Sequence, residues 1–185
     1  VMSYAGLSNK KIVSQLQKQG VNAVGLTGAD GNCIESVKRP VMDIDYGFAG
    51  DITQVNTAVF ASLTAHNFVP VLCAITHDNN GQLLNTNADT IAAQVAKAMS
   101  EEYDVTLFYC FEHAGVLKDI NKPENVISKL SKEAAETYTK AGDIHQGMVP
   151  KLHNGFDALE NGVKEVVVSN IAGLLDINAP KTTLI

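Results

Sequence analysis

Several things are scarce in this sequence, and each scarcity excludes something. Basic residues number 14 against 20 acidic ones, for a formal net charge of −6. A protein that grips the backbone of nucleic acids needs the opposite balance, although a local cationic pocket for one small anion stays open. Cysteine occurs only as Cys33, Cys73 and Cys110, an odd number at spacings that match no metal motif. Cys73 and Cys110 stand in apolar, strand-like text, where a reduced thiol behaves as a small hydrophobe, so the expectation is a cytosolic protein without a structural metal. No apolar run approaches the ~20 residues of a membrane span, and no secretory signal opens the sequence. The phosphate-binding signatures GKS/GKT and GxGxxG are missing as well. Thr27-Gly28-Ala29-Asp30-Gly31-Asn32 follows a strand-like run, but it reads as a turn rather than a phosphate cradle.

What is present is globular text. The 185 residues are 45% hydrophobic and 18% charged, enough for one sizeable core or two small lobes. The spacing of Ile12, Val13 and Leu16 predicts a helix over residues 3–19, stopped at Gly20. Val1-Met2-Ser3-Tyr4 starts inside that helical pattern, which suggests the later part of a longer protein. From Val21 onward strands and helices alternate. Strands are expected at Val21–Leu26, Cys33–Val37, Val69–Ile75, Val105–Cys110 and Val166–Val168, with helices at Asn56–His66, Ile91–Met99, Ser131–Lys140 and from Pro150 to Asn161. Asp45–Asp51 reads as an exposed hairpin or crossing, Thr76–Gly81 as a loop, and Lys118–Asn125 as a polar loop containing Pro123. This is α/β text: a three-layer αβα sandwich around a mostly parallel sheet, whose ligands gather beyond the C-terminal strand ends.

The stretch Leu84-Asn85-Thr86-Asn87-Ala88-Asp89-Thr90 lies between a strand and a helix. Asp89 beside a helix start is first of all a cap. One cap needs one side chain, so Asn85 and Asn87 offer surplus donors and acceptors to a polar ligand.

The chain resembles the amino-acid kinase family, and within it the branch that phosphorylates the side-chain carboxylate of an N-acylated glutamate. The segments that carry the resemblance are Ala5-Gly6-Leu7-Ser8-Asn9-Lys10, Ala23-Val24-Gly25-Leu26-Thr27-Gly28-Ala29-Asp30-Gly31, Asp45-Tyr46-Gly47-Phe48-Ala49-Gly50-Asp51, Asn85-Thr86-Asn87-Ala88-Asp89 and Gly147-Met148-Val149-Pro150-Lys151, in the family's order. The resemblance implies that Asn85, with Asn87, contacts the acylglutamate. It implies that Asp89 orients the catalytic lysines and that Lys151, one of those lysines, stabilises the transferring phosphoryl group. Glu112, Gly115, Val116, Leu117, Gly147 and Met148 match segments that line the ATP site. It also implies ATP carried with Mg²⁺, a role in arginine biosynthesis, a homodimer through the 3–19 helix, and two lobes, residues 1–90 for the acylated amino acid and 91–185 for ATP, sharing one continuous sheet.

Two departures stand out. Glu112-His113-Ala114-Gly115 replaces the family's Asp-Val-x-Gly, keeping the acid. Together with Cys110-Phe111 it looks like the form in Bacteroidetes members, which leaves acetyl and succinyl groups both open. The family's N-terminal Lys-x-Gly-Gly strand, which carries its other catalytic lysine, has no counterpart here. The sequence therefore reads as lacking an N-terminal segment. A related acylamino-acid or amino-acid kinase, and a non-catalytic nucleotide-binding module, remain as alternatives.

Overall fold

The computed structural model describes every residue except Ile120, Asn121, Pro123, His145 and Gln146. Pro123 of the expected polar loop, and the two residues just before Gly147, therefore lie outside the described residues. The chain divides into two compact units, Val1–Ile91 and Ala92–Ile185.

In the first unit a π-type helical segment, Met2–Ser8, leads into helix α1, Asn9–Lys18, and Gly20 takes a left-handed turn at φ 79°. Strand β1 (Ala23–Leu26) follows, then β2 (Ile34–Lys38), β3 (Gly50–Val55), helix α2 (Thr57–Ala65), β4 (Val69–Leu72), β5 (Ile75–His77) and β6 (Leu83–Asn85). Strands β1 and β4 pair in parallel. The other four form a second sheet in the order β3-β2-β5-β6. The 3₁₀ turn Asp30–Asn32 sits where a turn was expected, and the Asp30 carboxylate accepts from the Thr27 N–H at 2.7 Å and its hydroxyl at 2.8 Å. Asn67 provides the left-handed stop after α2, at φ 57°.

The run expected as one strand, Val69–Ile75, is in fact two. The chain steps from one sheet to the other at Cys73-Ala74: the Cys73 N–H still donates to Leu26 O, at the end of β1, whereas the C=O of Ile75, the first residue of β5, accepts from the Gly28 N–H. The expected single continuous sheet is thus already two within this unit. The expected loop at Thr76–Gly81 is likewise a hairpin, β5 against β6 in antiparallel register, turned by Asp78. Its carboxylate accepts the Asn80 and Gln82 N–H groups, which hold it below the ordinary carboxylate range. The four polar and glycine residues at the tip masked the short strands on either side. The core of this unit gathers Cys33, Ile34, Phe60, Ile75 and Leu84, each at most 4% exposed. Burying a side chain of that size contributes roughly 1.5–3 kcal/mol.

Helix α3, Ala88–Met99, contains the boundary between the two units and begins three residues before the expected Ile91. The second unit continues with β7 (Thr106–Cys110), β8 (Lys129–Leu130), helix α4 (Lys132–Ala141), helix α5 (Val149–Glu160), β9 (Glu165–Ser169), the short helix α6 (Ile171–Leu175) and β10 (Thr182–Leu184). Its sheet runs β7-β9-β10-β8, with β7-β9 and β10-β8 parallel and β9-β10 antiparallel. Ser131 caps α4 by accepting from the Ala134 N–H, and Gly142 ends it at φ 81°. Pro150 stands in the first turn of α5, where its missing N–H costs nothing. Leu130, Leu152, Phe156, Val166, Val168 and Leu184 form the centre of this unit's core. The α/β class with parallel sheet content is as expected: β1-β4, β2-β5, β7-β9 and β8-β10 pair in parallel, and antiparallel pairs stand among them. No helix of the described residues is long and apolar enough to cross a membrane.

Candidate active site

The second unit holds a cavity of about 360 Å³, within the range of small-molecule sites, about 300–1,000 Å³. One wall is the segment that leaves the C-terminal end of β7: Phe111, Glu112, His113, Gly115, Val116 and Leu117. The other is Asp143, Ile144, Gly147, Met148 and Lys151. All six residues expected at a nucleotide, together with Lys151, therefore line one space. It also lies where ligands gather in open α/β sheets, beyond the end of a parallel strand.

Each wall has a local cause. Gly115 must be a glycine because a Cβ there would lie 2.6 Å from both Thr182 Oγ1 and Val126 Cγ1. The left-handed Gly142 turns the chain out of α4, and the Asp143 N–H closes onto Tyr138 O at 2.9 Å. Helix α5 then starts at the cavity with Met148 at its N-cap. Met148 supplies no capping side chain, and no acidic residue stands in the first turn. The first turn of α5, which carries Lys151, thus lines this space at the positive end of the helix dipole, an arrangement suited to an anion. Two exposed carboxylates, Glu112 and Asp143, lie on the rim. His113 meets Phe111 edge to face, with ring centroids 5.5 Å apart.

Phe111, His113, Asp143 and Ile144 were missed as site residues by the sequence reading. Each adjoins or lies close to a residue that was named, and position along the chain was the only available signal. Among the described residues no group of three metal-ligating side chains comes together. The rim carboxylates are nonetheless hard oxygen donors of the kind that assist a divalent cation held mainly by the phosphates of a ligand.

In the first unit, Leu84 and Thr86 are buried while Asn85 and Asn87 are exposed. The alternation of an extended chain puts both asparagines on one face. Thr86 anchors that arrangement: its hydroxyl lies 2.8 Å from that of Thr76 and donates to Gly50 O at 3.3 Å. Phe48 O accepts the Asn85 N–H at 2.8 Å, so the Asp45–Asp51 segment runs beside the asparagines. Its aromatic rings are covered by cations, Lys38 over Phe48 and Arg39 over Tyr46. The capping role expected of Asp89 is performed by Asn87, whose Oδ1 accepts from the Thr90 N–H at 3.0 Å. Asp89 is the second residue of α3 and half-buried.

Residues 1–170 match the amino acid kinase family. The acetylglutamate kinase of Bacteroides thetaiotaomicron is 51% identical over 95% of this chain and 68% of its own length. That of Phocaeicola vulgatus is 52% identical over 91% of this chain and 65% of its own. The chain belongs to the amino acid kinase family. It spans about two thirds of the length of these relatives. Among solved structures, smu.665 from Streptococcus mutans superposes with a TM-score of 0.80 at 22% identity, over 99% of this chain and 69% of that one, so the fold is the amino-acid kinase fold.

Proposed function

We propose that this protein transfers the γ-phosphoryl group of ATP to the side-chain carboxylate of an N-acylated glutamate, acetyl or succinyl, in arginine biosynthesis in the cytoplasm. The observation that carries the reading is the cavity at the positive end of α5, where Lys151 meets Gly115–Leu117 and Gly147-Met148. The acetylglutamate kinases at 51–52% identity support the choice of acceptor.

The chemistry brings two anions together, so catalysis consists largely of positioning and charge compensation. The acceptor carboxylate is already ionised at neutral pH and needs no base. Lys151 and the first turn of α5 stabilise charge on the phosphoryl oxygens. Gly115, Val116 and Leu117 hold the nucleotide against the opposite wall, and Glu112 and Asp143 face its hydroxyl groups or its magnesium. Mg²⁺ carried with ATP would supply charge compensation on the phosphates, with Glu112 and Asp143 as the nearby oxygen donors. Asn85 and Asn87 present their carboxamides to the acylglutamate, and turnover depends on Asp89 as well as Lys151. The exposed apolar residues Met2, Tyr4, Leu7 and Ile12 form the face through which two copies associate.

The test is ADP release coupled to a reporter, with acetylglutamate and succinylglutamate offered separately. The expected result is turnover with one acyl group preferred. ATP binding without turnover on either acceptor would instead make the protein a nucleotide-binding module.

A further inference from the structure

In the loop that walls the cavity, one backbone pair is opened by a side chain. Leu117 and Val126 form an antiparallel bridge, and one residue further out the Ile127 N–H donates directly to Val116 O at 2.9 Å. A hydrogen-bonded antiparallel pair normally exchanges both of its bonds directly. Here the second passes through a hydroxyl: the Val116 N–H donates to Thr182 Oγ1 at 2.8 Å, and that hydroxyl donates to Ile127 O at 2.6 Å. Thr182 is 0% exposed and belongs to β10, far away in sequence. Its hydroxyl stands in the place a bridging water would take, completing a closed ring of bonds. Because Gly115 has no side chain, the loop can approach this hydroxyl. A second buried hydroxyl, Ser169 at the end of β9, lies 3.0 Å from Ala114 O.

We propose that Thr182 is a positioning residue for the nucleotide: its hydroxyl, wedged between Val116 and Ile127, sets how far Gly115 and Val116 stand into the cavity. This rests on the reading of that cavity as an ATP site. The hydroxyl acts through backbone and does not touch the nucleotide. Its removal leaves the buried Val116 N–H and the half-buried Ile127 C=O without their partner, and the loop must move to satisfy them. A methyl group of the same size cannot substitute, whereas serine can.

The experiment is titration of the 185-residue chain with the fluorescent analogue TNP-ATP and its displacement by ATP, for the wild type, Thr182→Val and Thr182→Ser, with amide hydrogen exchange at Val116 read alongside. The expected result is at least a tenfold weaker Kd for ATP and faster Val116 exchange in Thr182→Val, with unchanged far-UV circular dichroism. Thr182→Ser should stay within threefold of wild type on both measures. If Thr182→Val does not fold, Thr182→Ala, which leaves room for a water, takes its place with the same expectations at a smaller amplitude. ATP affinity within twofold of wild type in the folded variant overturns the proposal, and so does a serine variant as impaired as valine. Failure of the wild type to bind TNP-ATP overturns the nucleotide reading itself, a result distinct from equal binding by wild type and variant.

Discussion

A lysine in the first turn of a helix is electrostatically misplaced, since that end already carries about half a positive charge, worth 0.3–1 kcal/mol against a cation. Lys151 occupies such a position, third in α5. An anion in the adjoining cavity, as the proposed function requires, reverses the sign of that interaction. We expect Lys151→Ala to lower kcat by on the order of 10²–10³ while changing the unfolding free energy from urea titration by less than about 1 kcal/mol; near-normal turnover would remove Lys151 from the chemistry. Cys33 behaves in the opposite way. Fully buried, it has its thiol pushed from 9.0 up to about 11, first by burial and then by the charge of Asp30. The unfolded thiol loses its proton near pH 9 and the folded one only near 11. The unfolded chain therefore binds fewer protons in that window, and stability falls as pH rises. In urea titrations at pH 8 to 11, Cys33→Ala should lose stability less steeply than wild type. Iodoacetamide at pH 8 should label exposed Cys110 and spare Cys33 until the chain unfolds.

At the scale of elements, the start of α3 shows where local reading succeeds and where it slips. A polar cap just ahead of Ile91 is legible from the residue types alone, but several candidates stand within three positions, and which one caps depends on where the extended chain bends into helix. Thr86, pinned by Thr76 and Gly50, fixes that point and hands the cap to Asn87. Asn87→Ala should therefore cost about 1 kcal/mol in denaturant unfolding, and Asn87→Asp almost nothing. The long amphipathic helices were legible because their periodicity repeats over several turns, and Ser131, Gly142, Pro150 and Gly162 mark their ends. Strands β8 and β10, of two and three residues, carry no such signal. They exist because they pair with one another across more than 50 residues of sequence (Thr183 beside Lys129), and no local pattern encodes such a pairing. The hairpin of β5 and β6 was hidden for a related reason: polar tip residues outnumber the apolar ones that pair.

At the scale of the whole molecule, the first helical stretch leaves a group of apolar residues exposed. Met2 is 86% exposed and Leu7 57%, and apolar side chains grouped along one segment mark an association surface. We expect the chain to sediment as a dimer at micromolar concentration and the double variant Leu7→Asp, Ile12→Asp to sediment as a monomer with unchanged circular dichroism. A monomeric wild type would refute this. The net charge of −6 acts over the same scale: it disfavours polyanions overall, and the positive end of α5 beside Lys151 is a local exception.

By itself the sequence determined the α/β class and the order of the long elements, through periodicity and turn chemistry that are local along the chain, and its resemblance to a known family picked out residues that line one cavity. Tertiary structure decided which of the neighbouring polar residues caps α3, that Val69–Ile75 is divided between two sheets, and that Thr182, near the far end of the chain, reaches the wall of the cavity. Each of those outcomes depends on where a buried hydroxyl or backbone group finds its partner across the fold, and a partner remote in sequence leaves no trace in the residues beside it.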